Sequence, residues 1–247
     1  MTYCVAIKVE SGLILTSDSR TNAGIDHIAS FRKLHLLEIP GERVIFIQSA
    51  GNLATTQSVL TLLQNSVKNA ERHVLNVPSL FDVAELVGKT IRQVIRRDER
   101  ESQGVDFSCS MIVSGQIRGE TPRLFHIYPQ GNFIEAGEDT PYFQVGESKY
   151  GKPILDRVLT FETPMDKALQ CSLVSMDSTL RSNLSVGMPL DVICYHANSL
   201  EAGKIIRLQE EDEMFRQVRK AWSEGIKHLF DDMPLMTSEL CHPPQKS

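Results

Sequence analysis

MTYCVAIKVESGLILTSDSR is the sequence of residues 1–20, and it predicts how this chain starts to fold. Residues 3–9 carry apolar side chains on both alternating faces, which is typical of a strand buried on both sides. Glu10-Ser11-Gly12 predicts a turn, and residues 13–16 predict a second strand that returns beside the first as a hairpin. Asp18 is therefore expected where the chain leaves a two-stranded hairpin.

Thr2 is a candidate nucleophile because it directly follows the initiator Met1. Its small side chain permits methionine aminopeptidase to remove Met1, which would leave a β-hydroxyl and a free α-amino group on one residue. Such an amine titrates at roughly 7.7–8.0, a range suited to a base that works near neutral pH. Thr2 could then supply both nucleophile and base, although many chains begin Met-Thr without such chemistry.

The composition favours one globular domain over residues 1–230, followed by an irregular C-terminal extension over residues 231–247. Of the 247 residues, 41% are hydrophobic and 23% are charged, and no linker rich in proline or glycine divides them. The net charge of -5 argues against nucleic acid or an anionic membrane as a partner. The apolar runs are too short to cross a bilayer.

Cysteine and histidine usage predicts neither disulfides nor a metal centre. The five cysteines are scattered without a CxxC pair, and the N-terminus lacks a signal-peptide pattern, so we expect reduced thiols in a cytoplasmic protein. The seven histidines form no HxxxH or HExxH pair, and we expect no metal and no cofactor.

Strands and helices alternate in blocks along the chain. Residues 18–30 are predicted to be irregular, followed by strands at 31–39 and 43–48 and helices at 52–67 and 80–100, with Ser79 and Asp82 resembling a capping box. Strands return at 107–114, 123–128, 132–135 and 142–145, and helices at 152–160 and 164–182, the latter with Thr163 as N-cap. Strands at 190–196 and 204–208 precede a last helix with Met214, Val218 and Trp222 on one stripe. This order predicts an α+β fold, a four-layer sandwich of two antiparallel sheets with helices outside.

Lys33 is a candidate site residue because of the face on which it is predicted to lie. If the strand at 31–39 alternates regularly, Phe31, Lys33 and His35 share one largely apolar face. A lysine there needs a counter-charge, which Asp18 could supply, and the cation would lower the proton affinity of the Thr2 amine and hydroxyl. The alternative is a surface lysine on an edge strand.

Two polar turns are further candidates. Gly51 ends a strand before a helix, where its N–H can point at a developing oxyanion or where it can simply permit a tight turn. Asp177, Ser182 and Ser185 belong to a dense polar segment at a helix end, which either caps the helix or holds the Thr2 amine. The sequence alone leaves both alternatives open.

The segment over residues 146–153 is similar to a phosphate-binding loop but lacks its last element. That loop needs a serine or threonine hydroxyl for magnesium, and this chain has Pro153 there. Nucleotide binding is therefore rejected as the main function, and we expect the glycines to shape a strand-to-helix turn.

Taken together, these residues resemble the proteasome-type N-terminal-nucleophile hydrolases, and among them most closely the bacterial Anbu group, the ancestral β-subunits. The resemblance rests on residues 1–3, 17–21, 31–35, 49–57 and 178–187, in the same order along nearly the whole chain. It implies a four-layer αββα sandwich. It also implies residue roles. Thr2 would be the catalytic threonine, and Asp18 and Lys33 would be the acid–lysine pair beside it. Gly51 would be the oxyanion donor, and Ser185 would be the serine near the N-terminus.

Departures from the family pattern concern the surroundings of the Thr2 amine. Ser182 stands where an aspartate is usual, and Glu147 stands where a serine is common. Asp177 could substitute for the missing acid. Only Met1 precedes Thr2, whereas proteasome β-subunits usually carry a propeptide.

The sequence thus predicts a threonine-type peptidase or amidase that cleaves peptides or unfolded proteins. The resemblance implies a homo-oligomer, either a ring or a spiral, and leaves an ATPase partner open. The alternative is a catalytically weak or inactive assembly subunit, which the departures at Glu147 and Ser182 favour. The set formed by Thr2, Asp18 and Lys33 favours catalysis, because a scaffold would not need it.

Overall fold

A computed structural model describes residues 2–22, 28–99 and 104–234 of the chain. The helices among these residues are α1 (Leu53–Asn69), α2 (Leu80–Glu99), α3 (Lys152–Val158), α4 (Met165–Ser182) and α5 (Glu213–Asp232). The strands are β1 (Tyr3–Val9), β2 (Gly12–Ser17), β3 (Arg20–Asn22), β4 (Ile28–Ser30), β5 (Leu34–Ile39), β6 (Arg43–Gly51), β7 (Cys109–Ile117), β8 (Arg123–Ile127), β9 (Phe133–Glu135), β10 (Tyr142–Gly146), β11 (Leu190–His196) and β12 (Ile206–Leu208).

Two five-stranded antiparallel sheets organise these elements. The first has the strand order β10-β1-β2-β11-β12 and the second β5-β6-β7-β8-β9. In the first sheet, Tyr3 at the start of β1 pairs with Gly146, and Cys4 pairs with Ser17. The beginning of β1 therefore lies beside the last residues of both β2 and β10.

Three apolar clusters hold four layers together. One cluster fills the space between the sheets and includes Leu15, Phe46 and Tyr195. A second joins α1 and α2 to the outer face of the second sheet, and a third joins α3, α4 and α5 to the outer face of the first. The α+β αββα sandwich predicted from the sequence is confirmed. Both faces of β1 are apolar because one faces the other sheet and the other faces α4.

The region after β2 differs from the prediction in two respects. Residues 18–30 were expected to be irregular, but Arg20 pairs with Ser30 and Thr21 with Ala29 in a short hairpin, with residues 23–27 outside the described part. The next strand begins at Leu34, so Lys33 lies just before it. The carbonyl of Lys33 still accepts from the Ser49 N–H at 3.1 Å, which extends the contact with β6 past the end of the strand.

Other element ends follow local hydrogen bonding. Strands β6 and β7 run past their predicted ends, to Gly51 and Ile117, because they pair with each other along their full length. Ser79 caps α2, since its Oγ accepts from the Asp82 N–H at 3.1 Å, but the Asp82 carboxylate accepts from that hydroxyl and not from the Ser79 backbone N–H as a full capping box would require. The predicted N-cap of α4 is one residue too early: Pro164 takes that position, and Thr163 Oγ1 instead accepts from the Thr160 N–H.

The C-terminal end of the described chain is helical. Helix α5 continues to Asp232, so the first two residues of the predicted irregular extension belong to it. Residues 235–247, with Cys241, lie outside the described residues, and the extension there stays a prediction.

Candidate active site

Thr2 lies directly before β1 and is 8% exposed. Its carbonyl oxygen accepts a hydrogen bond from the backbone N–H of Glu147 at 2.7 Å, just past the end of β10. Gly146 permits this approach, because its φ is +86° and an added Cβ would overlap the Thr2 carbonyl. The end of β10 therefore fixes the position of Thr2.

Asp18 joins three parts of the chain through one buried carboxylate. Its Oδ1 accepts from the backbone N–H of Tyr3 at 3.0 Å and from Lys33 Nζ at 2.6 Å, and its Oδ2 accepts from the N–H of Gly187 at 3.2 Å. Burial raises the pKa of this carboxyl above its ordinary value, while the Lys33 charge and the backbone donors act in the opposite direction. The counter-charge inferred for Lys33 is therefore in direct contact with it.

Lys33 is held by two acceptors. Besides Asp18, its Nζ donates to the carbonyl oxygen of Arg20 at 2.6 Å, and the side chain is only 6% exposed. A buried ammonium needs such partners, since its desolvation is otherwise costly. The interpretation of Lys33 as a surface lysine does not hold in this structure.

Thr2, Lys33 and Gly51 border the same cavity, which has a volume of about 410 Å³. We call it the Thr2 cavity. It lies between the hairpin β3–β4, the start of β5, the end of β6 and the first turns of α1, and it is lined by Thr2, Thr21, Phe31, Arg32, Lys33, His35, Ser49, Ala50, Gly51, Asn52, Leu53, Thr56, Gln57 and Leu60. The shared face predicted for Phe31, Lys33 and His35 is thus one wall of this cavity.

Gly51 forms the junction between β6 and α1. Its φ is +112°, and an added Cβ would lie 2.5 Å from the carbonyl oxygen of Ser108, so the backbone conformation and the space both require glycine. Asn52 follows as the N-cap of α1, with its Oδ1 accepting from the Thr55 N–H at 3.2 Å. This junction places the backbone of Gly51 on the wall that also carries Thr2.

Glu147, Asn183 and Ser185 are linked by side-chain hydrogen bonds. The carboxylate of Glu147, in a residue only 5% exposed, accepts from Asn183 Nδ2 at 2.9 Å, and Asn183 Oδ1 accepts from the Ser185 N–H at 2.9 Å. Lys149 Nζ lies 3.5 Å from the same carboxylate. The residue whose N–H holds the Thr2 carbonyl thus carries a buried acid connected to the end of α4.

Asp177 and Ser182 occupy different environments. The buried carboxylate of Asp177 accepts from Arg181 Nε at 3.1 Å and from Arg219 Nε at 2.8 Å, which ties α4 to α5. Ser182 is exposed at the last residue of α4. Asn183 was not among the site residues predicted from the sequence, and its only available signal was the unusual acid at Glu147, which needs a polar partner once buried.

The cysteines within the described residues are unsuited to nucleophilic attack. All four that the structure describes are free, and burial raises the pKa of the Cys4 thiol well above its usual value and that of Cys109 to about 12. Because the thiolate is the reactive form, these side chains act as small apolar groups. Thr2 therefore remains the nucleophile candidate of the site.

The comparison with protein families decides the family. The family model described as proteasome subunit matches residues 2–192, which include Thr2, Asp18, Lys33 and Gly51. The chain belongs to the proteasome-subunit family. A comparison with curated proteins gave no match.

Among solved structures, this member of the proteasome-subunit family is similar to Anbu proteins. Anbu, the ancestral beta-subunit, from Yersinia bercovieri shares 56% identity at a TM-score of 0.90, over 96% of this chain and 99% of that chain. The helical assembly of the Anbu complex from Pseudomonas aeruginosa shares 54% identity at a TM-score of 0.92, over 96% and 98%. A Gly-1 mutant of Anbu from Hyphomicrobium sp. strain MC1 shares 44% identity at a TM-score of 0.91, over 96% and 100%. The predicted resemblance to the Anbu group is confirmed.

Neither a membrane-spanning helix nor a metal-binding cluster occurs within the described residues. No helix there is long and apolar enough to span a membrane. Nor do these residues contain a group of three or more His, Cys, Asp or Glu side chains arranged to hold a metal ion.

Proposed function

We propose that this chain is a threonine-type peptidase or amidase in which Thr2, after removal of Met1, is the nucleophile. The observation that carries the proposal is the Thr2 cavity, which brings Thr2, the buried cation of Lys33 and the Gly51 backbone to one space. Nucleophile, charge and oxyanion donor are the parts that acyl transfer requires. Membership of the proteasome-subunit family supports the same assignment.

The reaction follows from the chemistry of an N-terminal threonine. Thr2 Oγ1 attacks the carbonyl carbon of the scissile amide, while its proton passes to the free α-amino group, directly or through water. The tetrahedral oxyanion accepts a hydrogen bond from the Gly51 N–H. The protonated amine then gives its proton to the leaving nitrogen, which leaves an ester on Thr2, and water hydrolyses this ester with the amine again as base.

Lys33 and Asp18 would act on Thr2 through charge and position. A cation fixed in a buried site stabilises the deprotonated forms of neighbouring groups, so Lys33 lowers the pKa of the Thr2 amine and hydroxyl. Asp18 holds Lys33 Nζ at 2.6 Å and also binds the N–H of Tyr3, the residue after the nucleophile. One carboxylate thus sets the relative position of the cation and the start of β1.

Glu147 is the acid that we propose as the partner of the Thr2 ammonium. Its backbone is bonded to Thr2, its carboxylate is buried, and Asn183 orients that carboxylate. The carboxylate of Asp177, which the sequence suggested for this role, is engaged with Arg181 and Arg219. Ser185 would contribute through its backbone contact with Asn183.

We further propose that the protein works as a homo-oligomer on peptides or unfolded proteins in the cytoplasm. A helical assembly is described for the Anbu complex of Pseudomonas aeruginosa, and a ring or spiral of this chain would restrict access to the Thr2 cavity. The free thiols are those expected in a reducing compartment. An ATPase partner stays a prediction.

The alternative is a catalytically weak or inactive assembly subunit. It is favoured by the helical assembly of the Pseudomonas aeruginosa Anbu complex, since building such an assembly requires no catalysis. The departure from the family pattern at Glu147 favours it as well. Under this alternative the buried Lys33–Asp18 pair would serve stability only.

Intact-mass analysis with a peptide epoxyketone tests the proposal, because a stable adduct needs both the hydroxyl and the free amine of Thr2. The wild-type protein should lack the mass of Met1 and gain one inhibitor, and Thr2→Ser should react more slowly. Thr2→Ala should neither react nor hydrolyse acyl-peptide substrates. Active protein that retains Met1, or hydrolysis by Thr2→Ala, would contradict the mechanism. An unreactive wild type that assembles normally would favour the alternative.

A further inference from the structure

The charges around the Thr2 cavity are of one sign. Its lining contains the cations Arg32 and Lys33 but no Asp or Glu among the described residues. The whole chain is acidic, with 31 Asp and Glu against 26 Lys and Arg. The cationic lining is therefore a local arrangement and does not follow from the composition.

Arg32 supplies the available positive charge. Lys33 Nζ already donates to Asp18 and to the Arg20 carbonyl, each at 2.6 Å, whereas the exposed side chain of Arg32 has no hydrogen bond or ion pair with any residue that the structure describes. A guanidinium presents several N–H donors in one plane, which fit both oxygens of a carboxylate. Arg32 can therefore bind an anion that enters the cavity without giving up a contact with any residue that the structure describes.

His35 adds a second unsatisfied polar atom on the same wall. Its Nε2 is buried and has no hydrogen-bond partner within the described residues. Burial lowers the pKa of His35 first, the charge of Arg32 lowers it further, and a hydrogen bond with the Arg32 backbone and the charge of Asp191 raise it. Because the hydrogen bond with the Arg32 backbone favours a proton on the other ring nitrogen, Nε2 of the neutral ring is an acceptor, so His35 forms part of the wall but does not bind a carboxylate.

Helix α1 favours negative charge in the cavity as Arg32 does. Its first turn carries no acidic residue, and Leu53 and Thr56 of that turn border the cavity. The N-terminal end of a helix favours negative charge in its vicinity. This effect alone would not define a site, but it has the same sign as the charge of Arg32.

We propose that the Thr2 cavity accepts the carboxylate side chain of a Glu or Asp residue on the acyl side of the scissile bond. The inference rests on the proposed peptidase function and names its substrate class. The carboxylate would bind to the guanidinium of Arg32, while the apolar residues Phe31 and Leu60 contact the methylene groups. The volume of about 410 Å³ falls within the roughly 300–1,000 Å³ typical of ligand pockets.

Binding of capped peptides to the assembled Thr2→Ala protein tests the inference without requiring turnover. Three fluorescent peptide amides would differ only in the last residue, Glu, Gln or Leu, and fluorescence anisotropy would give their dissociation constants. We expect the Glu peptide to bind about tenfold more tightly than the Gln peptide, since hydrogen bonds to charged groups are stronger than neutral ones. Equal binding of the two, tighter binding of the Leu peptide, or no binding of the Glu peptide would overturn the inference.

Variants that remove one positive charge test which residue causes the preference for Glu over Gln. Arg32→Gln in the Thr2→Ala background should abolish the preference for Glu over Gln. Lys89→Gln, which removes an exposed charge from α2, is the matched control and should keep the preference. Loss of the preference in Lys89→Gln, or its retention in Arg32→Gln, would contradict the assignment.

Hydrolysis by the wild-type protein separates the two proposals. Cleavage after Glu with a higher kcat/KM than after Gln or Leu would support both. Thr2-dependent cleavage only after Leu would keep the peptidase function and overturn the acidic preference. Selective binding of the Glu peptide without any hydrolysis or epoxyketone adduct would overturn the peptidase function and keep the ligand class.

Discussion

The carboxylate of Asp18 is the single group on which most of the candidate site depends. It binds the N–H of Tyr3, the ammonium of Lys33 and the N–H of Gly187, which belong to three separate parts of the chain. Removal of one partner of a buried ion pair costs about 3–5 kcal/mol, because the other charge is left without compensation. At the residue scale, stability and site geometry are therefore coupled.

Gly51→Ala should impair both stability and hydrolysis. With φ at +112° and the Ser108 carbonyl 2.5 Å from an added Cβ, alanine forces the β6–α1 junction to shift. We expect a loss of roughly 1–3 kcal/mol in the free energy of unfolding, measured by urea titration, and a lower kcat. Gly137→Ala is the control, since an added Cβ there has nothing within 4 Å and should change neither quantity. Full activity of Gly51→Ala would remove Gly51 from the oxyanion site.

The residues of the site differ in how far the sequence could predict them. Contact between Lys33 and Asp18 was predictable, because an ammonium on an apolar face requires an acid and Asp18 follows the adjacent hairpin. The contact between Glu147 and Asn183 was not, because it depends on how the end of α4 meets the segment after β10. The suggestion of Asp177 overlooked Arg219, a residue 42 positions away that α5 brings to it.

At the element scale, the packing of α5 on α4 combines an apolar and an ionic contact. Phe215 is fully buried in the cluster beneath both helices, and Arg219, one turn later, reaches Asp177. Residues four positions apart lie on the same face of a helix, so the side chains of Phe215 and Arg219 both face α4. The ionic contact thus fixes the helix whose end carries Asn183.

Asp177→Asn and Glu147→Gln form a matched pair that separates a structural acid from a site acid. Asp177→Asn should increase amide exchange in α5 with the pH profile of hydrolysis unchanged, because its partners are Arg181 and Arg219. Glu147→Gln should leave α5 protected but shift the rising, acid-side limb of the kcat/KM profile to lower pH, since the Thr2 ammonium loses a neighbouring carboxylate and its pKa falls. The reverse pattern would assign the amine to Asp177.

The strands show the limits of local patterns. The hairpin of β1 and β2 was predictable because its alternation is long and its turn is clear. The hairpin of β3 and β4 contains three residues in each strand, too few for periodicity to register. The true ends of β6 and β7 are set by their mutual pairing, which no single segment reveals.

At the scale of the whole molecule, the exposed apolar side chains near the end of α5 bear on assembly. Leu229 is 57% exposed and Phe230 is 65% exposed, although α5 packs on α4 at its beginning. Apolar side chains grouped on a surface commonly mark an interface. The homo-oligomer proposed for this chain gives them a partner in a second copy.

Leu229→Lys with Phe230→Lys should shift the assembly toward smaller species without unfolding the protomer. Two charges in an apolar interface are costly to desolvate, whereas at an exposed site they are tolerated. Light scattering coupled to size exclusion would measure the mass, and circular dichroism the fold. Val158→Lys on α3, a side chain 50% exposed, is the control and should assemble as the wild type does. An unchanged mass for the double variant would place the interface elsewhere.

The position of Thr2 between β10 and β2 bears on how the site is inactivated by heat. Its carbonyl is bonded to the segment after β10, and the next residue is bonded to Asp18 after β2, so the release of Thr2 breaks bonds to the segments that follow both neighbouring strands. Opening an inner strand costs close to the free energy of global unfolding. Heat should therefore abolish hydrolysis and tertiary structure in one cooperative step, and loss of hydrolysis below the unfolding transition would show that Thr2 is released on its own.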